Sequence, residues 1–216
     1  MAARAKRKSS AGSRPSRSRS TRNSARRRTA TKRSGGQAQS GFSFGVIARK
    51  LGDAAKEMVQ KATQQPAAND AIQLLEQDHR EVEQMLEQFE QASDNGMKSE
   101  IADKICLALT VHTEIEEKIF YPRARKQIEE EDLLDEAEVE HASAKQLIAQ
   151  IQKMTPRDRL FDAKVKVLGE YVKHHVKEEE NELFPQARDS GMNLEKVGEE
   201  LREEKMALLK KASKKA

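Results

Sequence analysis

The sequence predicts an all-α fold, an up-down-up-down four-helix bundle with an additional C-terminal helix and a disordered, basic N-terminal tail. Three observations support this prediction. Apolar residues recur at intervals of three and four along four long segments. Short stretches rich in Gly, Pro, Asn or Asp separate those segments. Each segment also carries a histidine within its apolar seam. A chain of 216 residues is long enough for one well-filled domain with appendages.

The first segment, residues 1–40, is predicted to be a disordered basic tail. Residues 1–34 hold thirteen Lys and Arg and no acidic residue, so they carry +13 while the rest of the chain carries −9. The tail has too few bulky apolar residues to offset the entropy lost on ordering. Three interpretations stay open: a solubilising tail, a nonspecific tether to DNA or RNA through residues 1–34, and a transit peptide. Because no aromatic residue is interleaved, base stacking is not expected.

The next segment, residues 41–68, is predicted to hold a short amphipathic helix over 41–64 and a linker over 65–68. The bundle is predicted to occupy residues 69–190. Its first helix is capped by Asn69-Asp70 and ends at Asp94-Asn95-Gly96. The seam of this helix comprises Ile72, Leu75, His79, Val82, Leu86 and Phe89.

Three more bundle helices follow by the same pattern. The second is predicted from about Lys98 to Ile128, the third from about Glu131 to Met154, and the fourth from about Arg157 to Arg188. On the fourth helix we expect Leu168, Tyr171, Val172, His175, Glu179 and Leu183 to face inward. Residues 191–216 are predicted to form the additional helix, from Leu194 to about Ala212.

The histidines repeat at nearly duplicated spacing. His79 and His112 are 33 residues apart, and His141 and His175 are 34 apart. A predicted turn lies close to the middle of each interval, so at about 1.5 Å of rise per residue the two members of a pair reach the same level. We therefore expect the four imidazoles to converge on one layer of the core.

Two glutamates complete the pattern. Glu116 and Glu179 follow His112 and His175 by four residues, which places each carboxylate on the same helix face as its histidine. Carboxylates at the centre of a bundle can bridge two cations, and imidazoles can then cap those cations from the sides. The alternative to a metal site is that the histidines are ordinary hydrogen-bonded core residues and that the glutamates belong to solvated acidic runs. However, burying this many unpaired polar groups would cost several kcal/mol per ion, which favours a metal site.

The coordination count indicates the chemistry of such a site. For two six-coordinate ions, four imidazoles, two bridging carboxylates and a bridging oxo or hydroxo group leave two positions open, as a site for O2, NO or peroxide requires. Mixed nitrogen and oxygen donors suit iron first, then manganese and zinc.

Other classes of protein are excluded or disfavoured. The single cysteine, Cys106, rules out an internal disulfide framework and a cysteine-ligated zinc site, and we expect it in the core. No apolar stretch approaches the ~20 residues of a membrane span, so we expect a cytoplasmic protein without a membrane partner. No Ser-His-Asp arrangement or phosphate-binding glycine loop is present, so no catalytic residue or organic cofactor is predicted. The order of histidine and carboxylate is the reverse of the ferritin pattern.

Four segments carry a resemblance to a known family: LLEQDHREVEQMLEQF, HTEIEEKIFYP, EVEHASAKQLI and YVKHHVKEEENELFP. They resemble the ligand-bearing helices of the hemerythrin-like family, the HHE cation-binding domain, over about residues 70–188. The duplicated H-x-x-x-E-E-x-x-x-x-P signature ends at Pro122 and Pro185. The resemblance implies a non-haem di-iron centre with bridging carboxylates from Glu116 and Glu179. The terminal iron ligands it implies are His79, His112, His141 and His175.

The chain departs from the oxygen carriers of that family at two positions. Lys145 stands where they have a fifth histidine, and Glu179 stands where they use an aspartate. Reversible oxygen carriage is therefore not expected. A carboxylate from Glu83, Glu138 or Glu140 filling the gap is an open alternative, and His174 is expected outside the site because it is rotated about 100° from its neighbour.

Three function classes remain. The first is a protein that binds or senses O2, NO or peroxide, for example in a stress response. The second is a di-iron enzyme that consumes peroxide or nitric oxide at the same ions. The third is a DNA-associated stress protein tethered by its basic tail.

Overall fold

The computed structural model describes residues 52–64, 68, 70–128 and 131–214. The chain divides into two units at residues 40 and 41, and all described residues belong to the second unit. The predictions for residues 1–40, for residues 41–51 of the amphipathic helix and for residues 65–67 of the linker lie outside the described residues.

Eight α-helices make up the described residues, which contain no strand. They are α1 (Gly52–Gln64), α2 (Ala71–Gln91), α3 (Asn95–Ile115), α4 (Tyr121–Ala124), α5 (Glu131–Ile151), α6 (Phe161–Glu178), α7 (Phe184–Asp189) and α8 (Leu194–Ser213). A π-helical turn, Glu116–Phe120, joins α3 to α4, and a second, Glu179–Leu183, joins α6 to α7. The predicted all-α class is confirmed.

Helices α2, α3, α5 and α6 form the bundle. Helix α2 packs against α3 and α6, and α5 packs against the same two helices, so the four close into a ring. Helix α8 packs against α1, α2 and α3, and α1 also packs against α3. At Gly198 of α8 an added Cβ would lie 2.7 Å from backbone atoms of Asp70 and Ala71, so α8 meets the start of α2 at backbone contact distance. The predicted bundle with an additional C-terminal helix is confirmed.

The predicted seams of the first and fourth bundle helices are buried with one exception. All six seam residues of α2 are buried, from Ile72 to Phe89. Tyr171 of α6 was predicted to face inward, but 47% of its surface is exposed. Leu168 and Val172 occupy the inward positions on either side of it, and Tyr171 is rotated about 100° away from Val172.

The helix boundaries differ from the predicted ones where an aspartate organises a turn. The Asp94 side chain accepts a hydrogen bond from the Met97 N–H at 2.9 Å, so it caps α3, and Asn95 lies in the first turn of that helix. The Asp158 carboxylate accepts from the Thr155 N–H at 2.7 Å and from its hydroxyl at 3.0 Å. This turn delays the start of α6 to Phe161. The second and third predicted helices also end three or four residues early.

The π-helical turns both begin at a predicted metal-binding glutamate and both precede a proline. The N–H of Tyr121 donates to the Glu116 carbonyl five residues back, and the N–H of Phe184 donates to the Glu179 carbonyl. Such turns are uncommon and occur frequently at functional sites.

Two apolar clusters fill the bundle, one on each side of the histidine layer. One cluster contains Ile72 and Leu75 of α2, and the other contains Val82 and Leu86 of the same helix. The layer with His79 lies between them. Cys106 is buried in the second cluster, as predicted. Among the described residues, no helix has the length and apolar composition to cross a membrane.

Candidate metal centre

The structure brings all six predicted donor residues together in one layer. Each of them is at most 7% exposed. They fall into two groups in which the potential ligand atoms lie within 4.8 Å of one another. The first group is His79, His112, Glu116 and Glu179, and the second is Glu116, His141 and His175. The two groups share Glu116.

The imidazoles form two pairs through their inner nitrogens. The Nε2 atoms of His79 and His112 are 3.2 Å apart, and those of His141 and His175 are 3.1 Å apart. Each pair joins two helices connected by a short turn, as the duplicated spacing predicted.

The two carboxylates lie between these pairs. Glu116 Oε2 is 3.1 Å from His112 Nε2 and 3.4 Å from His141 Nε2. Glu179 Oε2 lies at similar distances, 3.3 and 3.5 Å, from the Nε2 atoms of the other two imidazoles. Each carboxylate oxygen therefore spans both imidazole pairs.

An outer ring of carboxylates faces the Nδ1 atoms of the four histidines. Each carboxylate comes from one bundle helix, or from the π-helical turn that follows it, and contacts the histidine of the next bundle helix. The pairs are Asp78 with His112 at 3.6 Å, Glu117 with His141 at 3.1 Å, Glu140 with His175 at 2.9 Å, and Glu180 with His79 at 2.8 Å. Three of these are hydrogen bonds, in which Nδ1–H donates to the carboxylate. A neutral imidazole that donates from Nδ1 presents its Nε2 lone pair to the layer, which is the form that metal ligation requires.

Three carboxylates of this outer ring are held in turn by a permanently cationic side chain. The ion pairs are Glu180 with Arg80, Glu117 with Lys145, and Asp78 with Lys205. Lys205 lies on α8, so the C-terminal helix contacts the ring from outside the bundle. These cations fix the carboxylates that orient the imidazoles.

The buried polar atoms fit a metal ion. Within each pair, two inward Nε2 lone pairs face each other. Both oxygens of Glu116 and Oε2 of Glu179 are buried with no hydrogen-bond partner. Such groups cost several kcal/mol unless they are compensated, and a cation between them would compensate them all. Imidazole nitrogen and carboxylate oxygen are donors that iron, manganese and zinc accept.

The pKa values of these residues describe the layer without an ion. Burial and the neighbouring Glu179 raise the pKa of Glu116 well above its usual range. Burial lowers the pKa of His112 to about 4. With no ion in the layer, these surroundings favour the neutral forms of both side chains.

Two aromatic residues of the layer were not predicted. Tyr121 and Phe184 each lie five residues after a glutamate, and the π-helical turns place them on the face of that glutamate. The Tyr121 hydroxyl donates to Glu179 Oε1 at 2.9 Å, and its ring stacks on His141 at 5.4 Å. Phe184 stacks on His79 at 5.8 Å. The repeated aromatic-proline dipeptide was the available sequence signal.

A small cavity of about 30 Å³ adjoins the histidines on the side away from Glu116 and Glu179. This volume holds one water-sized molecule. All four histidines of the layer line it. Most of its remaining wall is apolar: Val82, Leu109, Ala144, Val172 and Val176.

The residues considered around the position of a fifth histidine have other partners in the structure. Lys145 binds both oxygens of Glu117, at 2.5 and 2.6 Å, and does not enter the layer. Glu83 pairs with Arg80, and Glu138 pairs with Arg125. Glu140 accepts a hydrogen bond from His175 Nδ1, the nitrogen that points away from the layer. His174 is exposed, as expected.

Comparisons with known proteins agree with this layer. The profile of the hemerythrin HHE cation binding domain matches residues 70–187, more than half of the chain. A DNA nickase of Nostoc sp. (strain PCC 7120) is 32% identical over 117 residues, which cover 54% of this chain and 33% of the nickase. The match therefore spans a third of that relative. No solved structure matches the chain.

Proposed function

Because the chain belongs to the hemerythrin HHE cation-binding domain family, we propose that its six buried donors hold two iron ions in a non-haem, oxo- or hydroxo-bridged centre. Glu116 and Glu179 would be bridging ligands, and the four histidines of the layer terminal ones. The observation that carries this proposal is the position of each carboxylate oxygen between the two imidazole pairs. Manganese and zinc are the next candidates for the same donor set.

The ligand of this centre is proposed to be a small molecule such as O2, NO or peroxide. The iron ions would supply redox chemistry and open coordination positions. The protein supplies a space of about 30 Å³ beside the imidazoles, which fits a diatomic or a similarly small molecule and excludes larger ones. Its apolar wall favours an uncharged ligand over ions. We propose that the protein binds or senses such a ligand.

Filling the cavity tests this function. Ala144→Leu places added side-chain volume in the cavity wall, whereas Val167→Leu changes an exposed residue of α6 as a matched control. With reduced, iron-loaded protein titrated with NO, we expect Ala144→Leu to keep its iron but to bind NO more weakly than the wild type and the control. Equal NO binding by all three proteins would refute the assigned pocket.

An enzyme that consumes peroxide or nitric oxide is the alternative use of the same layer. The buried Tyr121 hydroxyl, which contacts Glu179 and His141, favours it, because it places a group that can hold a proton next to the proposed ligands. Steady-state peroxide consumption by the iron-loaded protein, at many turnovers per centre, would favour an enzyme. A single stoichiometric reaction would favour the binding or sensing protein.

Association with DNA is a second candidate function, favoured by a separate observation. Residues 1–34 carry +13 without an acidic residue, and the matching protein from Nostoc sp. is named a DNA nickase. If half of these cations engage phosphates, the log–log salt dependence of DNA binding should have a slope of roughly −6. Deleting residues 1–40 should abolish that slope. Unchanged DNA retention after the deletion would exclude the tether.

A further inference from the structure

The outer ring of carboxylates has one member without a permanent cation. Arg80, Lys145 and Lys205 hold three of the carboxylates, but Glu140 contacts two imidazoles instead. Its Oε2 accepts from His175 Nδ1 at 2.9 Å, and its Oε1 lies 3.5 Å from Nε2 of His174.

A second carboxylate converges on the same imidazole. Glu178 Oε1 lies 3.2 Å from His174 Nε2, one helical turn further along α6. One potential ligand atom from each of Glu140, His174 and Glu178 lies within 4.8 Å of the others. Throughout the described part of the chain, neither carboxylate forms an ion pair with a lysine or an arginine.

The two carboxylates at this corner therefore pair only with imidazoles. Two carboxylates share one imidazole, and an imidazole is not a permanent cation. At the three equivalent positions of the ring a positive charge lies behind the carboxylate. The same position at Glu140 offers one nitrogen and two carboxylate oxygens, which is a donor set for a divalent transition-metal ion.

The corner is also open to solvent, unlike the buried layer. The side chains of His174, Glu140 and Glu178 are 63%, 22% and 31% exposed. An ion can reach these atoms without a rearrangement of the bundle. Water molecules can complete its coordination.

We propose that Glu140, His174 and Glu178 form a surface site for a divalent transition-metal ion, separate from the six-donor layer. The ion takes the place that a lysine or an arginine occupies at the other three corners. Because Glu140 is shared with His175, the surface ion also steadies the carboxylate that orients one imidazole of the buried layer. The site goes beyond the proposed function and does not depend on which metal fills the buried layer.

Zinc binding to the iron-loaded full chain tests the site. Wild type, His174→Gln and Glu178→Gln are dialysed against Zn2+ alone, and zinc and iron per chain are measured in the same samples. Glu170→Gln is the matched control, since it removes an exposed carboxylate one turn before His174 on the same helix. Two site variants are used because each changed residue adjoins a residue of the buried layer. Circular dichroism checks that every variant is folded.

We expect wild type and Glu170→Gln to bind one zinc ion more than either site variant, or to bind that ion at least about tenfold more tightly. The difference in zinc per chain reports the surface site, and the iron per chain reports the buried centre. The proposal is overturned if both site variants bind as much zinc as wild type with the same affinity. It is also overturned if Glu170→Gln loses as much zinc as Glu178→Gln, because the ion is then only loosely attracted by surface charge.

Discussion

We predict that Glu117→Ala, which removes one carboxylate of the outer ring, lowers the affinity of the layer for metal. Glu117 accepts from His141 Nδ1 at 3.1 Å and binds Lys145 Nζ through both oxygens. Removing the side chain leaves an imidazole that is only 2% exposed without its partner and frees the lysine. Loss of such an outer contact typically costs 10–100-fold in metal affinity, which is about 1.4–2.7 kcal/mol.

The assay is competition for iron between the full chain and a chelator of known affinity. Glu114→Ala is the control, because Glu114 lies three residues before Glu117, in the last turn of α3, and outside the ring. Glu117→Gln should recover part of the affinity, since its amide oxygen can still accept from Nδ1–H.

If Glu117→Ala and Glu114→Ala release iron at the same chelator concentration as wild type, then the outer carboxylates do not support the imidazoles. If both variants lose the same amount of iron affinity, the cause is the removal of a negative charge from this region and not the loss of the contact with His141.

Three further predictions concern stability without metal. Tyr121→Phe removes a buried donor to Glu179 and should lower the free energy of unfolding by about 1.5–3 kcal/mol; no change in urea denaturation would contradict this bond. Gly198→Ala forces a Cβ against the backbone at Asp70 and should cost about 1–3 kcal/mol; an unchanged melting temperature would contradict the close packing of α8. Because burial lowers the pKa of His112 from 6.5 to about 4, the unfolded chain binds a proton that the folded chain does not. The stability of wild type relative to His112→Gln should therefore fall as pH drops through this window, and a constant difference would refute it.

The convergence of the four histidines and two glutamates on one layer could be predicted, because helical spacing alone determines their positions. His79 and His112 reach one level through the lengths of two straight helices and one turn, and a four-residue offset places Glu116 beside His112. These are local rules, so the duplicated intervals were sufficient to gather the six residues.

The outer contacts depend on packing between helices and could not be predicted in the same way. Glu117 follows Glu116 directly in the sequence, and local spacing does not show that its carboxylate contacts a histidine on a neighbouring helix. An acidic residue adjoins a layer residue in each of the four bundle segments, as Asp78 does on α2 and Glu117 in the π-helical turn after α3. That repetition was the missed signal. Tyr121 was missed because an α-helical rotation does not place it over Glu116, whereas a π-helical turn does.

The most direct test of the central claim is the anomalous diffraction of crystals of the iron-loaded protein, measured at the iron absorption edge. We expect two iron peaks, one beside His79 and His112 and one beside His141 and His175, with Glu116 and Glu179 contacting both. A single peak, or iron that lies outside this layer, would contradict a dinuclear centre built from these residues.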